Sequence, residues 1–156
     1  MSDTTPADTA EQQITITRVL DAPRELVFKA WTDPDHVAKW FGPAGVDTPR
    51  DSVDIDLRVG GRFDLRMVQE ASGMDHRIHY EIVELVEPEL LVLRSDPMPE
   101  IGLDRHTVTR VELEEEGGKT RMRLTDGPYP EEGGRHAGEG WEGAFDKLEA
   151  LLVESA

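Results

Sequence analysis

Apolar and polar residues alternate from Ile14 to Leu20, with Ile14, Ile16, Arg18 and Leu20 on one side and Thr15, Thr17 and Val19 on the other. That period of two predicts a strand. The period then changes. Asp21-Ala22-Pro23 opens a helix, because proline suits the first helical position and Glu25 falls where the helix dipole favours an anion. Val27, Ala30 and Trp31 recur at helical spacing with Leu26 beside them, which gives this helix one apolar face. Asp33 is a suitable N-cap for a second short helix, and Gly42-Pro43 stops it. Strands are predicted over Ser52 to Val59, Arg62 to Val68, His76 to Val86, Leu90 to Arg94, Arg105 to Glu114 and Thr120 to Thr125. Turn signals at Gly60-Gly61, Ser72-Gly73, Glu87-Pro88-Glu89, Asp96-Pro97-Met98-Pro99 and Gly117-Gly118 separate them, and such short links favour an antiparallel meander. The last segment, His136 to Glu154, is the clearest helix. Trp141, Ala144, Phe145, Leu148, Leu151 and Leu152 form one face, with Glu139, Glu142, Asp146 and Glu149 opposite.

Composition narrows what this order of elements can be. A chain of 156 residues is the size of one domain with one core, assigned here to 13–156 behind a polar, disordered tail over 1–12. The absence of cysteine removes disulfides, thiolate metal sites and a cysteine nucleophile. No apolar run marks a signal peptide or a membrane span, so a cytoplasmic protein is expected. The formal charge of −16 repels phosphate backbones and anionic lipid heads, which sets nucleic acid and membrane insertion aside as partners.

Six short words in the chain fall in a familiar order. They are Asp21-Ala22-Pro23 with Val27-Phe28; Ala30-Trp31-Thr32-Asp33-Pro34; Trp40-Phe41-Gly42-Pro43; Gly60-Gly61-Arg62-Phe63; Glu84-Leu85-Val86-Glu87-Pro88-Glu89-Leu90-Leu91; and Gly140-Trp141 leading to Lys147-Leu148. From about Ile14 to Val153 the chain resembles the SRPBCC superfamily, also called START-like or helix-grip domains. Within it, the words are similar to the branch named for the C-terminal domain of the activator of the ninety-kilodalton heat-shock protein's ATPase. The resemblance implies an α+β fold. A curved antiparallel sheet of about six to seven strands wraps around the long C-terminal helix, two short helices follow the first strand, and a cavity lies between sheet and helix. It also implies a hydrophobic or amphipathic small-molecule ligand, since families of this fold bind apolar molecules. A homodimer is a separate candidate partner, on which the resemblance is silent. Fold alone does not separate binders from enzymes, so the residues must.

If Phe63, Leu65 and Met67 face inward, alternation groups them with Ile78 and Tyr80 on the next strand and with Met122 near the end of the sheet. Trp141 and Phe145 look down from the long helix, and Trp40 and Phe41 form a lid or wall at one mouth. These ten residues are the candidate ligand-binding set, and all suit a packed core equally well. His79, His106 and Arg94 are the candidate polar groups of the pocket. His76 and His79 are three apart and fall on opposite faces of a regular strand, which argues against a shared metal site. No serine elbow, zinc signature or phosphate-binding glycine loop is present, and no catalytic residue, metal or cofactor is assigned. Two alternatives stand beside the binding domain. One is a cyclase or dehydratase using His79, His106 and Tyr80, with Asp64 a further acid/base candidate; the other is a stress or co-chaperone accessory protein.

Overall fold

The computed structural model describes residues 12–99 and 105–155; residues 1–11, nearly all of the expected tail, lie outside the described residues. Seven strands form one antiparallel sheet: β1 (Gln12–Leu20), β2 (Asp54–Ile55), β3 (Arg62–Gln69), β4 (Met74–Val86), β5 (Leu90–Ser95), β6 (Val108–Glu116) and β7 (Lys119–Tyr129). Their spatial order is β1-β7-β6-β5-β4-β3-β2, so the meander runs from β2 to β7 and β1 closes the far edge. Helices α1 (Arg24–Thr32) and α2 (Pro34–Trp40) carry the chain from one edge of the sheet to the other, and α3 (Glu131–Ser155) packs against β1, β7, α1 and α2. This is the expected helix-grip architecture.

Local chemistry sets the short helices. Pro23 is the N-cap residue of α1, Glu25 lies in its first turn and Lys29 in its last, each charge matching the dipole end it occupies. Asp33 ends α1 and begins α2, where its side chain accepts the Asp35 backbone N–H at 2.8 Å. Val27, Ala30, Trp31, Val37 and Trp40 are all fully buried beneath α3 and the sheet.

The strand expected over Ser52 to Val59 is corrected to a two-residue pairing, Asp54 and Ile55 opposite Asp64 and Phe63. Arg50–Ser52 forms a 3₁₀ turn before it. After it the backbone doubles back: the Arg58 N–H reaches the Asp56 carbonyl at 2.9 Å and the Gly61 N–H reaches the Arg58 carbonyl at 2.8 Å. Gly61 makes that fold possible, because a Cβ there would lie 2.0 Å from the Asp56 carbonyl oxygen and 2.9 Å from that of Arg58. Both obstacles are backbone and cannot rotate aside. Gly61→Ala is expected to destabilise the domain by about 1–3 kcal/mol through forced backbone movement. Equilibrium denaturation checks this, and an unchanged midpoint would show that the turn yields freely.

Alternation of buried and exposed residues is clearest on β7. On β7, Thr120, Met122, Leu124 and Asp126 are buried, while Lys119, Arg121 and Arg123 are exposed. Arg18 shares the inward side of β1 but reaches out under α3, pairing with Glu142 at 2.8 Å and with Asp146 and Glu149 at 3.0 Å, its guanidinium 5.7 Å from the Phe145 ring centre. The edge strand is thereby fastened to the helix by charge and by a cation–π contact.

Candidate functional site

Trp31, Trp40, Phe41, Phe63, Tyr80, Trp141 and Phe145 form one connected ring cluster running outward from the core. Trp31 meets Trp40 edge-on at 4.7 Å between ring centres, and Trp31, Trp40 and Trp141 all pack on Phe145 within 6.2 Å. Phe41 lies 5.5 Å from Trp141, and Phe63 lies 5.9 Å from Tyr80. On the far side of Phe41, Tyr80 and Trp141 the packing stops at a cavity of about 410 Å³. That volume is in the range of small-molecule sites.

Six pieces of chain build it. Phe41, Gly42 and Pro43 come from the loop after α2, Met67 from the end of β3, and Met74, Ile78 and Tyr80 from β4. Asp126 and Tyr129 come from the end of β7, and Gly133, His136, Ala137, Gly140, Trp141 and Ala144 from the first half of α3, with Met98 near the mouth. The inner wall is buried, whereas Met67, Met74 and Met98 are half-buried and His136 is exposed. Methionine suits such a rim, being apolar, unbranched and adaptable.

Close approach of α3 to the 42–46 loop defines one wall. A Cβ at Gly143 would sit 2.8 Å from the Ala44 backbone nitrogen, so glycine there lets the helix touch the loop. Lys147 then secures the contact, donating to the Pro43 carbonyl at 3.3 Å and the Val46 carbonyl at 3.1 Å; its burial pulls its pKa below the usual lysine range.

At the inner end stands a carboxyl group. Asp126 is 1% exposed and accepts hydrogen bonds from the Thr109 hydroxyl at 2.8 Å, the Tyr129 hydroxyl at 2.6 Å and the Trp141 indole N–H at 2.8 Å. Three elements, β6, β7 and α3, thus converge on one acid. Burial raises its pKa, and the donors oppose that rise without cancelling it. Tyr80 and Tyr129 are also pushed up, first by burial and then by the neighbouring Asp126, so both phenols stay neutral.

Of the ten apolar candidates, Phe41, Met67, Ile78, Tyr80 and Trp141 line the cavity. Trp40, Phe63, Leu65, Met122 and Phe145 belong to the packed core instead, with Trp40 donating its indole N–H to the Ala30 carbonyl at 2.8 Å. Inward direction is common to both groups; what separates them is position along the strand relative to the aromatic cluster. The polar candidates stand elsewhere. His79 is paired with Asp64, and Arg94 with Glu81 at 2.7 Å, on the sheet face opposite Tyr80, because strand neighbours of inward residues point outward. His106 is exposed, its Nδ1 2.8 Å from the Ser95 carbonyl oxygen. The constellation of His79, His106 and Tyr80 therefore does not converge. Among the described residues no group of three or more His, Asp and Glu side chains is placed to hold a metal ion.

Asp126, Tyr129 and His136 are absent from the sequence-derived set. The signal for Asp126 was present in the period-two series Thr120, Met122, Leu124, which continues to it, but Gly127-Pro128 reads as punctuation.

Among the described residues, no helix is long and apolar enough to cross a membrane. No curated protein matches the chain. Solved structures do. Protein CV1439 from Chromobacterium violaceum is 27% identical with a TM-score of 0.79, over 90% of this chain and 96% of that one. Protein NE0264 from Nitrosomonas europaea is 25% identical with a TM-score of 0.77, over 92% and 95%. The AHSA1 protein SPO3351 from Silicibacter pomeroyi, 20% identical with a TM-score of 0.76 over 93% and 100%, shares the fold. The family model described as activator of Hsp90 ATPase homolog 1-like protein matches residues 21–153. With that match over most of its length, and with a seven-stranded sheet gripping a C-terminal helix, the chain belongs to the activator of Hsp90 ATPase homolog 1-like family of the SRPBCC/START-like superfamily.

Proposed function

We propose that this domain binds a hydrophobic or amphipathic small molecule in the cavity between the sheet and α3. The observation that carries the reading is a largely apolar cavity of about 410 Å³ with a single cluster of polar groups at its inner end. Apolar walls supply affinity by releasing water, and a few fixed polar atoms orient the guest. The fold supports the same reading, because START-like domains commonly hold hydrophobic ligands in this position. Phe41, Met67, Ile78, Tyr80 and Trp141 are the contact residues in this proposal.

Native mass spectrometry of protein purified from its own host, followed by denaturing extraction, is expected to reveal a bound apolar molecule. Filling the space should abolish binding. Ala137 lines the cavity from α3, and Ala137→Trp is expected to weaken binding of an apolar fluorescent probe at least about tenfold while leaving the thermal midpoint nearly unchanged. Undiminished probe binding in the folded variant would move the site away from this cavity.

A further inference from the structure

The inner end of the cavity has a charge property that apolar binding alone does not explain. Asp126 is a buried acid whose three hydrogen-bond donors, Thr109, Tyr129 and Trp141, are all neutral. They solvate a carboxylate without neutralising it. Among the described residues no lysine or arginine lines the cavity; His136, exposed at the rim, is the only lining side chain able to carry positive charge. The rings of Phe41, Tyr80, Tyr129 and Trp141 line the same cavity as the acid, and aromatic faces attract cations.

Resting on the binding proposal above, we infer that the cavity takes a ligand with a tertiary or quaternary ammonium group on an apolar body, Asp126 and the surrounding rings forming the cation site. The hydrogen-bond inventory selects that kind of ammonium. A carboxylate offers about four acceptor positions. Three are taken by side chains, and the Gly127 backbone N–H lies against the same group. Little capacity remains for a primary amine with three N–H groups to satisfy. A substituted ammonium needs few donated bonds and is held by charge and ring faces. The surplus of acidic residues over the whole chain also favours the approach of cations.

Ionisation of Asp126 is costly in the empty cavity because of its burial, and a cation offsets that cost. A permanent cation therefore favours the ionised carboxylate, and its binding tightens as pH rises through the range in which Asp126 gives up its proton. The other titratable groups facing Asp126 do not reverse this sign. Tyr80 and Tyr129 remain neutral, and the Thr109 and Trp141 donors carry no charge.

The test is calorimetric titration of the intact chain with octyltrimethylammonium, octan-1-ol and octanoate, at about 0.15 M salt to screen the surface. The ammonium is expected to bind at least about tenfold more tightly than the alcohol, and the carboxylate most weakly. Asp126→Asn is expected to erase that preference while alcohol binding persists, and Ala137→Trp to abolish ammonium binding, which locates it in the cavity. Equal or tighter binding of the alcohol or of octanoate to the natural chain would overturn the inference, as would ammonium binding that survives Ala137→Trp. Should Asp126→Asn fail to fold, the ranking of the three probes on the natural chain and its change with pH decide the matter. Alcohol binding that Ala137→Trp removes, with no ammonium advantage, sinks the cation site alone. Failure of all three probes sinks the cavity reading with it.

Discussion

Trp31→Ala is expected to lower the stability of the domain by about 3–5 kcal/mol, the cost of removing a large aromatic side chain from a close-packed interior. Trp31 is fully buried, packs on Trp40, Trp141 and Phe145, and directs its indole N–H at the Met122 sulfur, 3.3 Å away. These neighbours come from three elements: Trp40 from α2, Trp141 and Phe145 from α3, Met122 from β7. The void left by alanine would therefore open at the junction of helices and sheet, where no single element can move in without leaving another. Against a typical total of about 5–15 kcal/mol, the loss would remove a large part of the stability of the domain. Urea titration measures it, with Val153→Ala as an exposed control expected to change little. A loss below about 1 kcal/mol would mean that the core repacks around the gap.

Asp126→Ala is expected to cost about 2–4 kcal/mol and to change how stability depends on pH. The first effect comes from the donors left behind. The Thr109 and Tyr129 hydroxyls and the Trp141 indole would lose their shared acceptor in surroundings where water reaches them poorly. The second follows from the direction of the pKa shift. The folded protein holds the Asp126 proton more firmly than the unfolded chain, whose value is near 3.8. Native protein thus binds more protons than unfolded protein between that value and the raised one, and stability falls as pH climbs through this window. Asp54 and Asp75 behave oppositely. Their pairing with Arg62 and Arg66 holds them below 3.8, so what they contribute is lost only in stronger acid. The two kinds of titration occupy separate pH ranges, and only the upper one should vanish in Asp126→Ala. A pH profile of the denaturation midpoint that keeps its decline above pH 4 in the variant would assign the decline to another group.

Much of the fold is legible along the chain because burial imposes periodicity. Leu20, Val27, Ala30, Phe63, Leu65, Ile82, Met122 and Leu124 all follow the period of their element, and all are buried. Boundaries are legible only where local chemistry and pairing agree. β7 continues through Gly127 and Pro128 to Tyr129 because Tyr129 pairs with Gln12 on β1 and Gly127 with Val108 on β6, pairings that no local signal announces. α3 begins at Glu131, several residues before the expected His136, because packing and a Gly134 N–H bond to the Pro130 carbonyl at 2.7 Å sustain helix through glycines of weak helical preference. The cavity is harder to foresee than the core. Leu65 and Met67 share a face of one strand, yet Leu65 is covered and Met67 lines a wall, and the difference lies in what stands above each from elsewhere in the chain. Asp126 could be placed on the inward face by counting. That it meets donors from β6 and α3 depends on contacts across the whole domain.

The pairing of the first strand with the last has a consequence for the order of events during synthesis. Leu20 faces Thr120, a hundred residues later, and the Ala22 carbonyl waits for the Thr120 hydroxyl, 2.7 Å away in the finished fold. Contacts this distant in sequence carry a large loop-closure cost before they repay it, which slows folding relative to proteins of local topology. On the ribosome, β1 would emerge with its partner edge still unmade, and the meander from β3 to β6 would form beside it as hairpins. The arrival of β7 and α3 would complete sheet, aromatic core and cavity nearly together. A nascent chain halted before Lys119, where β7 begins, should therefore remain open to protease along β1, and release of the remaining residues should convert it to a protected state in a single step.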